Sequence, residues 1–210
     1  MVSEDSGQGT TTESRRQAIL EAALTCFVSK GFTETTMEDI RKISGASTGS
    51  IYHHFSNKEM LARALYLEGR TSLNAVLSAS LTAASLHDGI VGMVHAYLNW
   101  FEQHANLGQY FLQAGTSEYL SAYVKVLRQK TRTSLPTEHL RDQVLQWLAP
   151  YISDGSAVRL PESVYVPLIL GPSREFVRTW LRTRQAAEIQ EAREPLAEAA
   201  WRSVATPVSY

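Results

Sequence analysis

The residues best suited to do chemistry lie close together, between Thr35 and Lys58. Ser47, Thr48 and Ser50 carry small hydroxyls, Gly49 carries no side chain, Tyr52 holds a phenol on a rigid arm, and His53 adds an imidazole. Small hydroxyl residues let a helix seat deep in a groove and bond phosphate oxygens or base edges. Gly49 permits close approach of the backbone. Lys58 falls in the first turn of the following helix, beside free backbone N–H groups, and the two together would clamp a phosphate. From Ile40 to Lys58 the bases are Arg41, Lys42 and Lys58, with His53 and His54 beside them and no acid.

Other chemistries find little footing. His95 and His104 fall on opposite faces of a helix, and His87 and His95 lack a carboxylate companion at i+4. No HExxH, Gly-rich phosphate loop or GxSxG is present, so no enzyme, metal or cofactor is expected. The single cysteine, Cys26, excludes an intrachain disulfide and any zinc site that needs two thiolates. It reads as a small buried hydrophobe.

The elements that must position these groups are helices throughout. Residues 1–13 are polar and read as a disordered tail. Ile19, Ala22, Ala23, Cys26 and Phe27 recur at three and four along a helix starting near Ser14, which Gly31 stops. Thr35 and Thr36 each precede a carboxylate by three residues, so either can cap the next helix, whose apolar stripe is Met37, Ile40 and Ile43. Gly45 suits a left-handed turn, Ser47 can cap a short helix to His54, and Ser56 with Glu59 opens a longer one to about Ala79. A helix, a short Gly-containing turn and a second short helix make a helix-turn-helix pattern.

Further helical periods cover Gly89–His104, Gln109–Ala114, Ser117–Arg132, Glu138–Ile152 and Pro161 to about Thr183. Pro167 and Pro172 point to a kink or break in the last of these, and Pro195 divides or starts the final segment. No alternating strand run is present, so the fold class is all-α.

The whole chain has 210 residues and a net charge of −1, which argues against a uniformly basic surface. The charge is unevenly spread. Residues 14–63 hold seven Lys/Arg against five Asp/Glu, a net of +2, while the remainder is acidic or balanced. The polar start and the lack of a run of roughly 20 apolar residues point to a soluble cytoplasmic chain with no membrane partner.

Gly31-Phe32, Thr35-Thr36-Met37-Glu38-Asp39-Ile40, the run from Ser44 to Phe55 and Lys58-Glu59 together resemble the DNA-binding domain of the tetracycline-repressor (TetR/AcrR) family. The resemblance spans about residues 14–63. It implies a homodimeric, ligand-responsive transcriptional regulator, most often a repressor, on a palindromic operator in double-stranded DNA. It carries DNA contacts over to Thr36, Ser47, Thr48, Gly49, Ser50, Tyr52, His53 and Lys58. Many members have Ala where this chain has Arg41, so Arg41 must snorkel or turn outward.

Three segments follow: a tail at 1–13, a three-helix reader at 14–63, and a larger helical effector-binding and dimerisation domain at 64–210. Tyr97, Trp100, Phe101, His104, Phe111, Tyr123, Trp147 and Tyr165 are candidates to line a small-molecule effector cavity, against the plain alternative of an ordinary core. Val164, Leu168, Phe176 and Trp180, with Leu196 and Ala200, form apolar stripes suited to a four-helix dimer seam, unless they cover the subunit's own core. A dimer is required to meet two half-sites about one helical turn apart. The rival reading is a helical sensor or interaction protein with a degenerate reader.

Overall fold

The computed structural model describes residues 6–115, 117–123 and 140–207. In chain order the helices are α1 (Ser6–Lys30), α2 (Met37–Ser44), α3 (Thr48–His54), α4 (Lys58–Ala79), α5 (Leu86–Gln103), α6 (Ala105–Ala114), α7 (118–123), α8 (Leu140–Ser153), α9 (Glu162–Thr183) and α10 (Ala186–Val204). A 3-10 turn, Ser80–Thr82, follows α4. Among the described residues the extended backbone pairs at one bridge, Ala157 with Ala205. The fold is all-α. No helix among the described residues is long and apolar enough to cross a membrane.

Several boundaries differ from those expected. Helix α1 begins at Ser6 instead of near Ser14. Helix α4 is capped by Asn57, whose Oδ1 accepts the Met60 amide at 2.9 Å, and not by Ser56. Both residues are good N-caps, and the Ser56–Glu59 spacing favoured the wrong one. Helix α9 runs unbroken through Pro167 and Pro172, and α10 through Pro195. All three prolines are exposed, so the carbonyls deprived of a partner lie on the solvent side, where water satisfies them. The expected segments at 124–137, the start at Glu138 and tail residues 1–5 lie outside the described residues.

The chain forms two compact units, and the cut does not follow the expected boundary after Arg63. The first unit takes α1, α2, α3, α4 as far as Gly69, α6 from Asn106, and α7. Its core joins Ile19, Ala23, Cys26 and Phe27 of α1 to Ile40, Ile51, Phe55, Leu61 and Leu65. Burial pushes the Cys26 thiol up, as expected of an inert packed cysteine. Aromatic side chains bring α6 and α7 into this unit. Phe27 stacks on Tyr110 at 5.7 Å, Phe32 stacks on Tyr119 at 3.8 Å, and the Tyr110 hydroxyl donates to the Ala62 carbonyl at 2.8 Å.

The second unit is built on α5, whose Ile90, Met93, Val94, Tyr97, Leu98 and Phe101 are all buried. Helices α9 and α10 pack on it, and α8 packs on α9. Gly89 exists for Trp147: a Cβ at that position would lie 2.2 Å from the indole. Arg193 of α10 reaches Glu102 at 2.5 Å and also donates to Asn99 of α5.

Candidate nucleic-acid interface

Helix α3 has seven residues, too short to persist alone, so its ends and its buried face must hold it. The Ser47 hydroxyl accepts the Ser50 amide at 3.2 Å and caps the start. Gly45, at φ 64°, makes the left-handed turn that separates α2 from α3, where a side chain would be strained. Ile51 and Phe55 anchor the helix in the core, and Arg16 lies over the Phe55 ring at 5.5 Å. With that face buried, Thr48, Gly49, Tyr52 and His53 are exposed and Ser50 half-buried. Tyr52 is 51% exposed, unusual for a large aromatic ring, and its hydroxyl makes no hydrogen bond among the described residues. His54 is half-buried, 6.4 Å ring to ring from Phe55.

Helix α2 supports α3 through a complete capping box at Thr36, not Thr35. The Thr36 hydroxyl accepts the Asp39 amide at 3.1 Å and donates to Asp39 Oδ2 at 2.8 Å, and the Thr36 amide donates to the same carboxylate at 3.0 Å. Lys30, at the end of α1, donates to Asp39 Oδ1 at 2.8 Å. The Lys30 ammonium, followed by the Thr36 amide and hydroxyl, holds the Asp39 carboxyl well below the carboxylate range. Thr35 is buried instead, donating to the Gly31 carbonyl at 2.7 Å. Ile43, expected in the apolar stripe of α2, is 55% exposed, because Met37 and Ile40 already define the inward face.

Two expected contacts take on other work. Lys58 Nζ donates to the carbonyls of Phe32 at 2.7 Å, Thr33 at 3.2 Å and Thr35 at 2.8 Å, and lies 4.4 Å from the centre of the Phe32 ring. An ammonium has three donors, and all three serve the loop between α1 and α2. Lys58 thus clamps the loop between α1 and α2. The Thr36 hydroxyl is likewise engaged by Asp39. No composition or spacing signal marks Lys58 for carbonyls, because its acceptors lie 23 to 26 residues away in the chain.

Arg41 turns outward, as its size requires, and pairs with Glu38 in a two-pronged bond of 2.7 and 2.8 Å. Lys30 pairs with Asp39 and Arg16 with Glu13, so acids of the same unit offset much of its positive charge.

The aromatic residues expected around an effector are divided between the two units. Tyr97, Trp100 and Phe101 cluster on α5, with ring separations of 4.8 and 4.9 Å. All three are buried, and burial pushes the Tyr97 hydroxyl up to about 12. His104 is exposed and caps α5, its Nδ1 2.9 Å from the Trp100 carbonyl. Trp147 packs on Gly89. Tyr165 donates to the Val158 carbonyl at 2.9 Å and accepts the Leu160 amide at 3.0 Å, so its hydroxyl locks the approach to α9 and is not offered to a ligand. Phe111 and Tyr123 belong to the first unit.

The expected dimer stripes divide similarly. Val164, Leu168, Phe176 and Leu196 are half-buried. Trp180, 3% exposed, donates to the Gln185 carbonyl at 3.0 Å, and Ala200 is buried, so both serve the subunit's own core.

Comparison with known proteins gives likenesses for part of the chain by sequence and for most of it by fold. Residues 19–65 match the model described as bacterial regulatory proteins, tetR family. Over those residues the chain is similar to the tetR family. That stretch includes α3 and Lys58 and ends before the second unit begins. The repressor AcnR of Corynebacterium diphtheriae is 34% identical over 90 residues, covering 43% of each chain. The chain spans 33% to 43% of the length of the first curated relatives it matches. A tetR-family transcription regulator from Marinobacter aquaeolei superposes with a TM-score of 0.75 at 20% identity, over 94% of this chain and 99% of that one. A SmeT–triclosan complex superposes with a TM-score of 0.69 at 15% identity, over 94% of each chain. The fold beyond that stretch is therefore also that of these structures.

Proposed function

We propose that the chain is a non-enzymatic, cytoplasmic, homodimeric transcriptional repressor that binds a palindromic operator through α3 and releases it when a small molecule binds. The observation that carries this reading is the exposed face of α3: Thr48, Gly49, Ser50, Tyr52 and His53 project from a helix capped by Ser47 and anchored by Ile51 and Phe55. A rigid, capped helix that spends its apolar residues inward and leaves hydroxyls and a phenol outward suits a major groove. The tetR-family match supports DNA as the partner. The triclosan complex of SmeT supports a small-molecule effector. Release requires that the effector prefer a conformation in which the recognition helices no longer fit their half-sites.

Retardation of duplex DNA from the chain's own locus, at defined salt, tests the proposal. Retention of one palindromic fragment over random duplex is expected, and equal binding to both overturns it. One observation favours the rival sensor with a degenerate reader: Lys58 and Thr36 already spend their polar groups inside the chain. That rival gains if no fragment is retained while small molecules still bind.

A further inference from the structure

Helix α4 carries a cation that the reader does not use. Arg63 is half-buried, and its Nε is shut off from solvent without any hydrogen-bond acceptor. Among the described residues its guanidinium pairs with no acid; it lies over the ring of Tyr123, 5.2 Å from the centre. A guanidinium stays charged at any physiological pH, so burial cannot be relieved by losing a proton. A buried polar donor is ordinarily paired, and beside this Nε–H lies only the face of a ring.

The surroundings indicate what would pair with it. Tyr66 stands three residues further along α4, on the same face, and stacks on Phe111 of α6 at 5.2 Å. The Tyr66 hydroxyl makes no hydrogen bond among the described residues. Gly115 lies beside this ring pair: a Cβ there would stand in ordinary contact with Tyr66, 3.6 Å from Cε2 and 3.8 Å from the hydroxyl. One unpaired guanidinium edge, one phenol and three aromatic rings thus share one part of the first unit.

We infer that Arg63 and Tyr66 form a binding site for a small monocarboxylate with an aromatic or acyl body. The Nε–H and a neighbouring Nη–H present the parallel donors that a carboxylate accepts two at a time. The rings of Tyr66, Phe111 and Tyr123 offer apolar surface to the body of the ligand. A monoanion fits better than a phosphate, because Lys58, the nearest other base toward the start of α4, spends its donors on carbonyls. Calling the ligand an effector rests on the repressor reading; its binding does not.

The test uses the full chain without DNA. Benzoate and octanoate are compared with benzamide and octanamide by thermal shift and by the 15N signal of the Arg63 Nε–H, assigned through Arg63→Lys. The carboxylates are expected to raise the melting temperature and move that signal, and the amides to do neither. Arg63→Gln is expected to weaken carboxylate binding about tenfold or more, and Tyr66→Phe to weaken it less. Equal response to acid and amide, an unmoved Nε–H signal, or an undiminished response in Arg63→Gln overturns the site. If Arg63→Gln does not fold, the Nε–H signal of the unsubstituted chain decides alone. Failure to retain operator DNA would overturn the repressor reading and leave this result standing.

Discussion

Lys58 donates to the Thr35 carbonyl at 2.8 Å, tying the first turn of α4 to the residue just ahead of the capping box of α2. With the bonds to Phe32 and Thr33, this makes one side chain the clamp of the loop that orients the helix-turn-helix. Hydrogen bonds to a charged group are worth about 1.5–3 kcal/mol each at most, and shared donors give less than their sum. Lys58→Met is therefore expected to destabilise the chain by about 2 kcal/mol in denaturant unfolding. If Lys58 instead held a phosphate, the same substitution would lower the slope of log K against log salt by about 1. An unchanged slope, with weaker binding to specific and random DNA alike, is the expected outcome.

Tyr52 separates recognition from folding. Its ring is half exposed and its hydroxyl is unused within the described residues, so Tyr52→Phe should move stability by less than about 0.5 kcal/mol. Operator affinity should fall about tenfold, a loss of about 1.4 kcal/mol. A titration showing full operator affinity for Tyr52→Phe would remove the hydroxyl from the interface.

The Asp39 carboxylate gives the reader an acid limit. Its folded pKa lies below the ordinary 3.8, first because of Lys30 and then because of Thr36. A depressed acid contributes stability that is fully present above the unfolded value and is lost as pH falls below it. Melting temperature should therefore drop on acidification below about pH 4, where free carboxylates take up protons. Asp39→Asn should be less stable at neutral pH and show a shallower acid dependence in the same range. Parallel pH profiles for the two proteins would exclude Asp39 as a source.

Gly89 and Trp147 form a matched pair in the second unit. Gly89→Ala places a methyl 2.2 Å from the indole, and overpacking of this kind costs about 1–3 kcal/mol. Adding Trp147→Leu should return part of that loss, so the double variant should be more stable than the two separate losses predict. Strict additivity in chemical denaturation would mean that the helices separate instead of clashing.

The two apolar faces of α9 are expected to behave differently. Trp180→Ala removes a buried indole and should cost about 3–5 kcal/mol of stability. Leu168→Glu changes a half-buried position and should convert a dimer to a monomer, seen by light scattering, with the helical spectrum retained. A dimer that survives Leu168→Glu would place the seam elsewhere.

The all-α class, the helix-turn-helix and the outward face of α3 were legible in the residues alone. The reason is that local physics decides them: a 3.6-residue apolar period, a serine cap and a glycine turn all act within a few positions. Residues such as Ile51 and Phe55 must go inward, and that alone sends Thr48 and Tyr52 outward. Other assignments depended on atoms distant in sequence. Whether Thr35 or Thr36 caps α2, and whether Lys58 serves phosphate or carbonyls, turns on which acceptors the fold brings within 3 Å. Tyr165 and Trp180 looked available for a ligand or a partner until the loops beside α9 supplied acceptors for their polar atoms. Tertiary structure also drew α6 and α7 into the first unit, because Tyr110 and Tyr119 found rings and a carbonyl that no local pattern announces. Sequence sets which way each helix faces, while the packed chain decides where each polar group finds its partner.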